Sequence, residues 1–157
     1  MNAYDLPQTN QVLTAVTVKQ ASIHPWGQEN WTLAGVIPGL TPAQLSHYKQ
    51  QGTIHMWPEL TLTVYAQHCE AYYQNLTAKQ PIIALVCHQE DALLAPFLLT
   101  VDPDEAEAYM DSGAIVLTAD LSEVHCLWLE QFVMTHYRPQ EKRKRQRESW
   151  YNHEEKE

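Results

Sequence analysis

Three cysteines, Cys69, Cys87 and Cys126, each stand beside a histidine, in the pairs His68-Cys69, Cys87-His88 and His125-Cys126. A thiol next to an imidazole is the pairing from which nucleophiles and metal sites are built, so these pairs are the first place to look for chemistry. Adjacent residues point to opposite faces of a strand, or about 100° apart on a helix, so each pair offers one ligand rather than two to a common centre. The bidentate spacings of structural zinc sites are missing, and adjacency supplies no oriented base for a thiolate. Buried free thiols with incidental histidines are the expectation. A small carrier or enzyme handling sulfur or metal through Cys and His is the alternative.

Other chemistries find less support. The chain has five glycines, none arranged as a phosphate-cradling loop or dinucleotide fingerprint, which speaks against NTPase or nucleotidyltransferase activity. Asp102, Asp104, Glu105 and Glu107 lie close together but lack the alternating ligands and turn glycine of a calcium loop, so they read as the solvated start of a helix. Catalytic residues, a metal and a cofactor are therefore not expected.

The elements that must hold these residues alternate between strand and helix. Val12, Val16 and Val18 share one parity and predict a half-buried strand over 11–23; Trp31 to Val36 predicts the next. Thr41-Pro42-Ala43-Gln44 combines a cap, a first-turn proline and a capping-box glutamine, predicting a short helix over 42–51 closed by Gly52. Leu60, Leu62 and Val64 alternate with Thr61, Thr63 and Tyr65 as a strand covered on one face. Cys69, Tyr72, Tyr73 and Leu76 recur at helical spacing, while the continuous apolar run 82–86 predicts a central strand covered on both faces. Residues 93–101 predict a strand that Pro96 places at an edge or a bulge. Asp102-Pro103 opens a helix ending near Ser112, and 115–119 is a last strand. From Ser122 onward, Val124, Trp128 and Phe132 mark a long C-terminal amphipathic helix lying across the sheet. Glu70-Ala71-Tyr72 and Glu107-Ala108-Tyr109 echo each other after two strands, but common helix formers explain that without a duplication.

The fold class is thus α+β: an antiparallel sheet of about six strands that can curl toward a barrel, with short helices and a long C-terminal one. A flexible N-terminus over 1–10, a single domain over 11–137 and an exposed tail over 138–157 are expected, in a length of 157 residues that suits one core. No apolar stretch is long enough for a membrane span and no secretory signal is visible, so a cytoplasmic location without a membrane partner follows. The net charge of -9 hides a split between an acidic body and a basic stretch holding Lys142, Arg143, Lys144, Arg145 and Arg147. An acidic body repels a long polyanion, so a nucleic-acid-binding regulator is an alternative rather than the expectation. Self-association is left open.

Several segments in order resemble one known family. They are Pro25-Trp26 followed by Trp31 and Gly35-Val36, then Glu70-Ala71-Tyr72-Tyr73-Gln74-Asn75-Leu76 leading to Pro81. Glu105 to Tyr109 with Asp111-Ser112-Gly113 follows, and then Trp128 to His136 before the Lys/Arg segment. This set resembles a proteobacterial family of domains of unknown function, often labelled molybdopterin-guanine dinucleotide biosynthesis protein and encoded beside molybdenum- or tungsten-dependent formate dehydrogenases. The missing glycine-rich loop argues against the biosynthesis label. The resemblance implies a non-catalytic, chaperone-like accessory protein whose partners are formate dehydrogenase or its maturation factors. For partner binding the expected residues are Glu70 and Asn75, which can receive donors, Tyr73 as an aromatic anchor, and the basic Arg143, Lys144, Arg145 and Arg147, with a helix cap as the equal alternative for Asn75.

Overall fold

The computed structural model describes residues 9–20, 30–38, 43, 46, 53–91 and 93–137. Six strands form one sheet: β1 (Asn10–Gln20), β2 (Asn30–Ile37), β3 (Thr53–Thr63), β4 (Ile82–Glu90), β5 (Leu93–Thr100) and β6 (Ile115–Asp120). Among the described residues three short helices accompany them: α1 (Cys69–Thr77), entered through a 3-10 turn at Ala66–His68, α2 (Pro103–Asp111) and α3 (Glu123–His136). Among the described residues no helix is long and apolar enough to cross a membrane.

The strand order is β2-β1-β3-β5-β4-β6. Two antiparallel halves, β2-β1-β3 and β5-β4-β6, therefore share one topology, with the first strand of each in the middle, its hairpin partner on one side and the third strand on the other. The halves meet through β3 and β5, which run parallel and share the single ladder pair Leu62 and Leu99. The edge strands β2 and β6 also lie against each other, so the sheet is nearly a barrel. The expected wholly antiparallel sheet is corrected here. The tight hairpin at Asp91 forces β5 to run opposite to β4, and inserting β5 beside β3 then makes that one junction parallel.

The middle strands carry the core. β4 is buried without interruption from Ile83 to Cys87, as its apolar run predicts for a strand covered on both faces. β1 departs from the half-buried expectation: Ala15, Val16, Thr17 and Val18 are all buried, so both faces of this central strand are covered there, while Val12 is exposed. One continuous core joins Leu13, Leu62, Leu85 and Leu99 from the sheet to Leu129 and Phe132 of α3. Burying each such side chain contributes roughly 1.5–3 kcal/mol.

Two prolines sit in strands by virtue of bulges. Leu13 faces Leu60 and Ala15 faces Trp57, so Pro58 and Glu59 together oppose Thr14, with Glu59 at φ 61°. Val86 faces Leu98 and Cys87 faces Pro96, which leaves Phe97 as the extra residue of β5. Pro96 thus occupies one of the two places its missing amide allows.

α2 follows its expected limits: Asp102 caps it, Pro103 opens it, and Gly113 at φ 96° lies just beyond its cap Ser112. The long amphipathic C-terminal helix is corrected to 14 residues, ending where Tyr137 takes extended backbone. Its apolar residues also surround it rather than forming one stripe: Leu129, Phe132 and Val133 are buried while Val124, Leu127 and Met134 face solvent. The expected helix over 42–51 lies, apart from two helical positions, outside the described residues, as do both termini.

Candidate functional site

The site grows from the two residues that join β5 to α2. Asp102 is a helix cap by sequence: its Oδ1 accepts the amides of Asp104 at 2.9 Å and Glu105 at 3.2 Å, while its own amide donates to Thr100 Oγ1 at 3.0 Å. These bonds hold a buried carboxylate in one orientation. Its second oxygen, Oδ2, lies 3.4 Å from His68 Nδ1 across the start of α1. His68 ends the 3-10 turn, where its amide donates to the Tyr65 carbonyl at 3.0 Å. The hydroxyl of Tyr72 accepts the Tyr65 amide at 3.1 Å, and the rings of Tyr65 and Tyr72 flank the imidazole. Burial is the main reason the Tyr72 phenol is pushed up to about 12, with the nearby Asp102 and Glu105 acting in the same direction.

Between α1 and the beginning of α2 opens a cleft of about 620 Å³. Glu70 and Gln74 line it from α1, Asp102, Asp104 and Glu105 from α2, and His68 with Gln67 from the turn. Among the described residues no lysine or arginine lines it. Four carboxylates around one opening favour a cationic group, and His68, half exposed and paired with a buried carboxylate, adds a donor or acceptor at its floor. Of the four, Asp102 is buried, which corrects its reading as part of a solvated helix start.

The three Cys/His pairs do not converge. His68 faces Asp102, His88 stacks on Phe97 with ring centroids 4.2 Å apart, and His125 Nδ1 lies 2.8 Å from Ser122 Oγ. The cysteines are free thiols, and burial raises all three. Cys87 is pushed up to about 11, and Glu123 and Glu130 add to the rise at Cys126. Among the described residues no group of three or more His, Cys, Asp or Glu is placed to hold a metal ion.

A family model described as "Protein of unknown function (DUF3305)" matches residues 12–146. The chain belongs to the DUF3305 family. No curated protein and no solved structure matches it. The matched span includes both halves of the sheet and runs past Tyr137 into the basic stretch, so this DUF3305 unit takes in the fold and the start of its tail.

The residues expected to bind a partner are distributed unevenly over this DUF3305 fold. Glu70 is exposed and lines the cleft. Tyr73, 47% exposed, stacks on Tyr137 at 5.3 Å, so the chain leaves α3 beside α1. Asn75 is not on the surface: at 3% exposure its amide donates to the carbonyls of Ile82 and Val101 at 2.9 and 3.0 Å and accepts the Ile82 amide at 3.0 Å. It ties α1 to β4 and to the end of β5, with all of its donors spent inside the molecule. Arg143, Lys144, Arg145 and Arg147 lie outside the described residues. Sequence reasoning missed His68, Asp104 and Glu105 as cleft residues. The Asp102-Pro103 cap marks where α2 starts, but nothing local marks which helix that start faces.

Proposed function

We propose that this DUF3305 protein is a non-catalytic, chaperone-like accessory protein that receives a cationic segment of a protein partner in the cleft between α1 and α2. The observation that carries the reading is the set of four carboxylates, Glu70, Asp102, Asp104 and Glu105, around an opening that no lysine or arginine among the described residues lines. Such a field steers a basic segment and rejects acidic ones. The family resemblance described for the sequence supports the process we propose: maturation or assembly of a molybdenum- or tungsten-dependent formate dehydrogenase in the cytoplasm, with the enzyme or its maturation factors as partner. Raised thiols weigh against thiolate chemistry as the alternative, since a thiolate and not a thiol attacks or binds metal. The same acidic surface weighs against nucleic acid as partner.

Affinity purification of the tagged full chain from its native cells, followed by mass spectrometry, tests the reading. Recovery of formate dehydrogenase or its assembly factors, lost in a Glu70→Lys/Asp104→Lys variant, is the expected result. Recovery of neither, or recovery indifferent to the two substitutions, overturns it.

A further inference from the structure

The solvent face of α3 has a pattern that the core does not explain. Val124, Leu127 and Met134 are 72%, 56% and 75% exposed, and with exposed Gln131 they fall at successive spacings of three, four and three residues. That is the spacing of the two seam positions of a coiled-coil heptad, with Val124 and Gln131 in one and Leu127 and Met134 in the other. Glu123 and Glu130, both exposed, precede the first seam position of each heptad and line one flank; Trp128 and Thr135 line the other. A helix apolar all round is ordinarily buried all round, and here, among the described residues, the core takes in the side bearing Leu129, Phe132 and Val133. The seam spans about 15 Å of helix, two heptads' worth of seam positions, which is the length of contact one short partner helix can match.

Charge selects the occupant. Two copies of this chain packed antiparallel along the seam would bring Glu123 and Glu130 of each against those of the other, and packed parallel would set glutamates against Trp128 and Thr135 with no ion pair gained. A helix carrying Lys or Arg beside its own apolar seam gains two such pairs instead. The geometry points to an amphipathic partner helix with a basic flank, seated along Val124, Leu127, Gln131 and Met134 and paired with Glu123 and Glu130. This rests on the protein-binding reading above and adds a second contact surface to it, apart from the α1/α2 cleft.

Two synthetic helical peptides with identical leucine seams, one with lysine at both flanks and one with glutamate, serve as probes of the full chain. Binding is read by fluorescence anisotropy, and its place by amide chemical-shift changes. The lysine peptide is expected to bind at least tenfold tighter than the glutamate peptide and to shift amides along α3. Leu127→Gln/Met134→Gln weakens it at least tenfold, while Glu123→Lys/Glu130→Lys reverses the preference between the peptides. All four residues are exposed, and unchanged melting temperatures establish that the variants stay folded. Equal binding of the two peptides, binding indifferent to Leu127→Gln/Met134→Gln, or self-association of the chain through this seam overturns the inference. Shifts confined to His68, Glu70 and Glu105 also overturn it, while leaving the cleft reading intact.

Discussion

Replacing Asn75 by alanine separates a structural side chain from a partner-binding one. The side chain makes three hydrogen bonds of 2.9, 3.0 and 3.0 Å to backbone groups of Ile82 and Val101. Each contributes about 1 kcal/mol net, and truncation strands the backbone groups in a site that water reaches poorly. A loss of about 3–4 kcal/mol follows. For a chain of this size each kcal/mol lowers the melting temperature by about 2–4 °C, so the midpoint falls by roughly 10 °C. Urea unfolding followed by tryptophan fluorescence measures the same loss as a lower midpoint with an unchanged slope. Asn75→Asp keeps an acceptor for the Ile82 amide but turns its other oxygen toward two carbonyls, and is expected to cost nearly as much. Tyr73→Ala, on the exposed side of the same helix, loses only its stacking on Tyr137, about 1 kcal/mol. A loss below about 1 kcal/mol in Asn75→Ala, with partner capture abolished, would refute the structural assignment.

Glu59→Gly is expected to stabilise the fold by about 0.5–1 kcal/mol, since a bulge position at φ 61° strains any residue with a Cβ; a lower urea midpoint counts against the bulge geometry. The Tyr72 phenol keeps its proton to about 12 in the folded chain and to about 10 when unfolded. Its contribution is therefore complete below pH 10 and is lost as pH rises toward 12. Tyr72→Phe costs about 1 kcal/mol at neutral pH, through the Tyr65 amide left without its acceptor, and flattens the decline measured by urea unfolding between about pH 10 and 12. In a thiol-reagent time course at pH 8, half-buried Cys126 reacts first and Cys87 only at the unfolding rate. A fast phase at Cys87 would revive the sulfur-handling alternative.

How much of this was legible follows from how local each cause is. α2 was readable because its start and stop are written beside it, in Asp102-Pro103 and Gly113, and β4 because five buried residues in a row need no partner to be recognised. The first half of β3 was not readable, because Pro58 argues against a strand until the bulge opposite Thr14 is seen. Nor was the role of Asn75, which depends on carbonyls 7 and 26 residues away. The cleft was hidden for the same reason: Glu70 and Asp102 meet only once α1 and α2 have packed. The echo of Glu70-Ala71-Tyr72 in Glu107-Ala108-Tyr109 is indeed no duplication, since α1 follows the third strand of its half and α2 the second. A second echo fits the topology. Thr41-Pro42, Tyr48, Gly52 and Ile54 stand at the same mutual spacing as Asp102-Pro103, Tyr109, Gly113 and Ile115, and both sets connect the second strand of a half to its third.

The junction of β3 and β5 gives the barrel an uneven grain. Within each half, ladders of backbone bonds fix neighbouring strands residue by residue, whereas between the halves a single pair, Leu62 and Leu99, does so. Cohesion there comes from side chains, which tolerate small sliding where a ladder tolerates none. The halves thus meet along two seams, β3 against β5 and β2 against β6, and backbone pairing is thinnest there. At the first seam Leu62 and Leu99, paired and buried in the shared core, fasten one half to the other by packing as much as by hydrogen bonding.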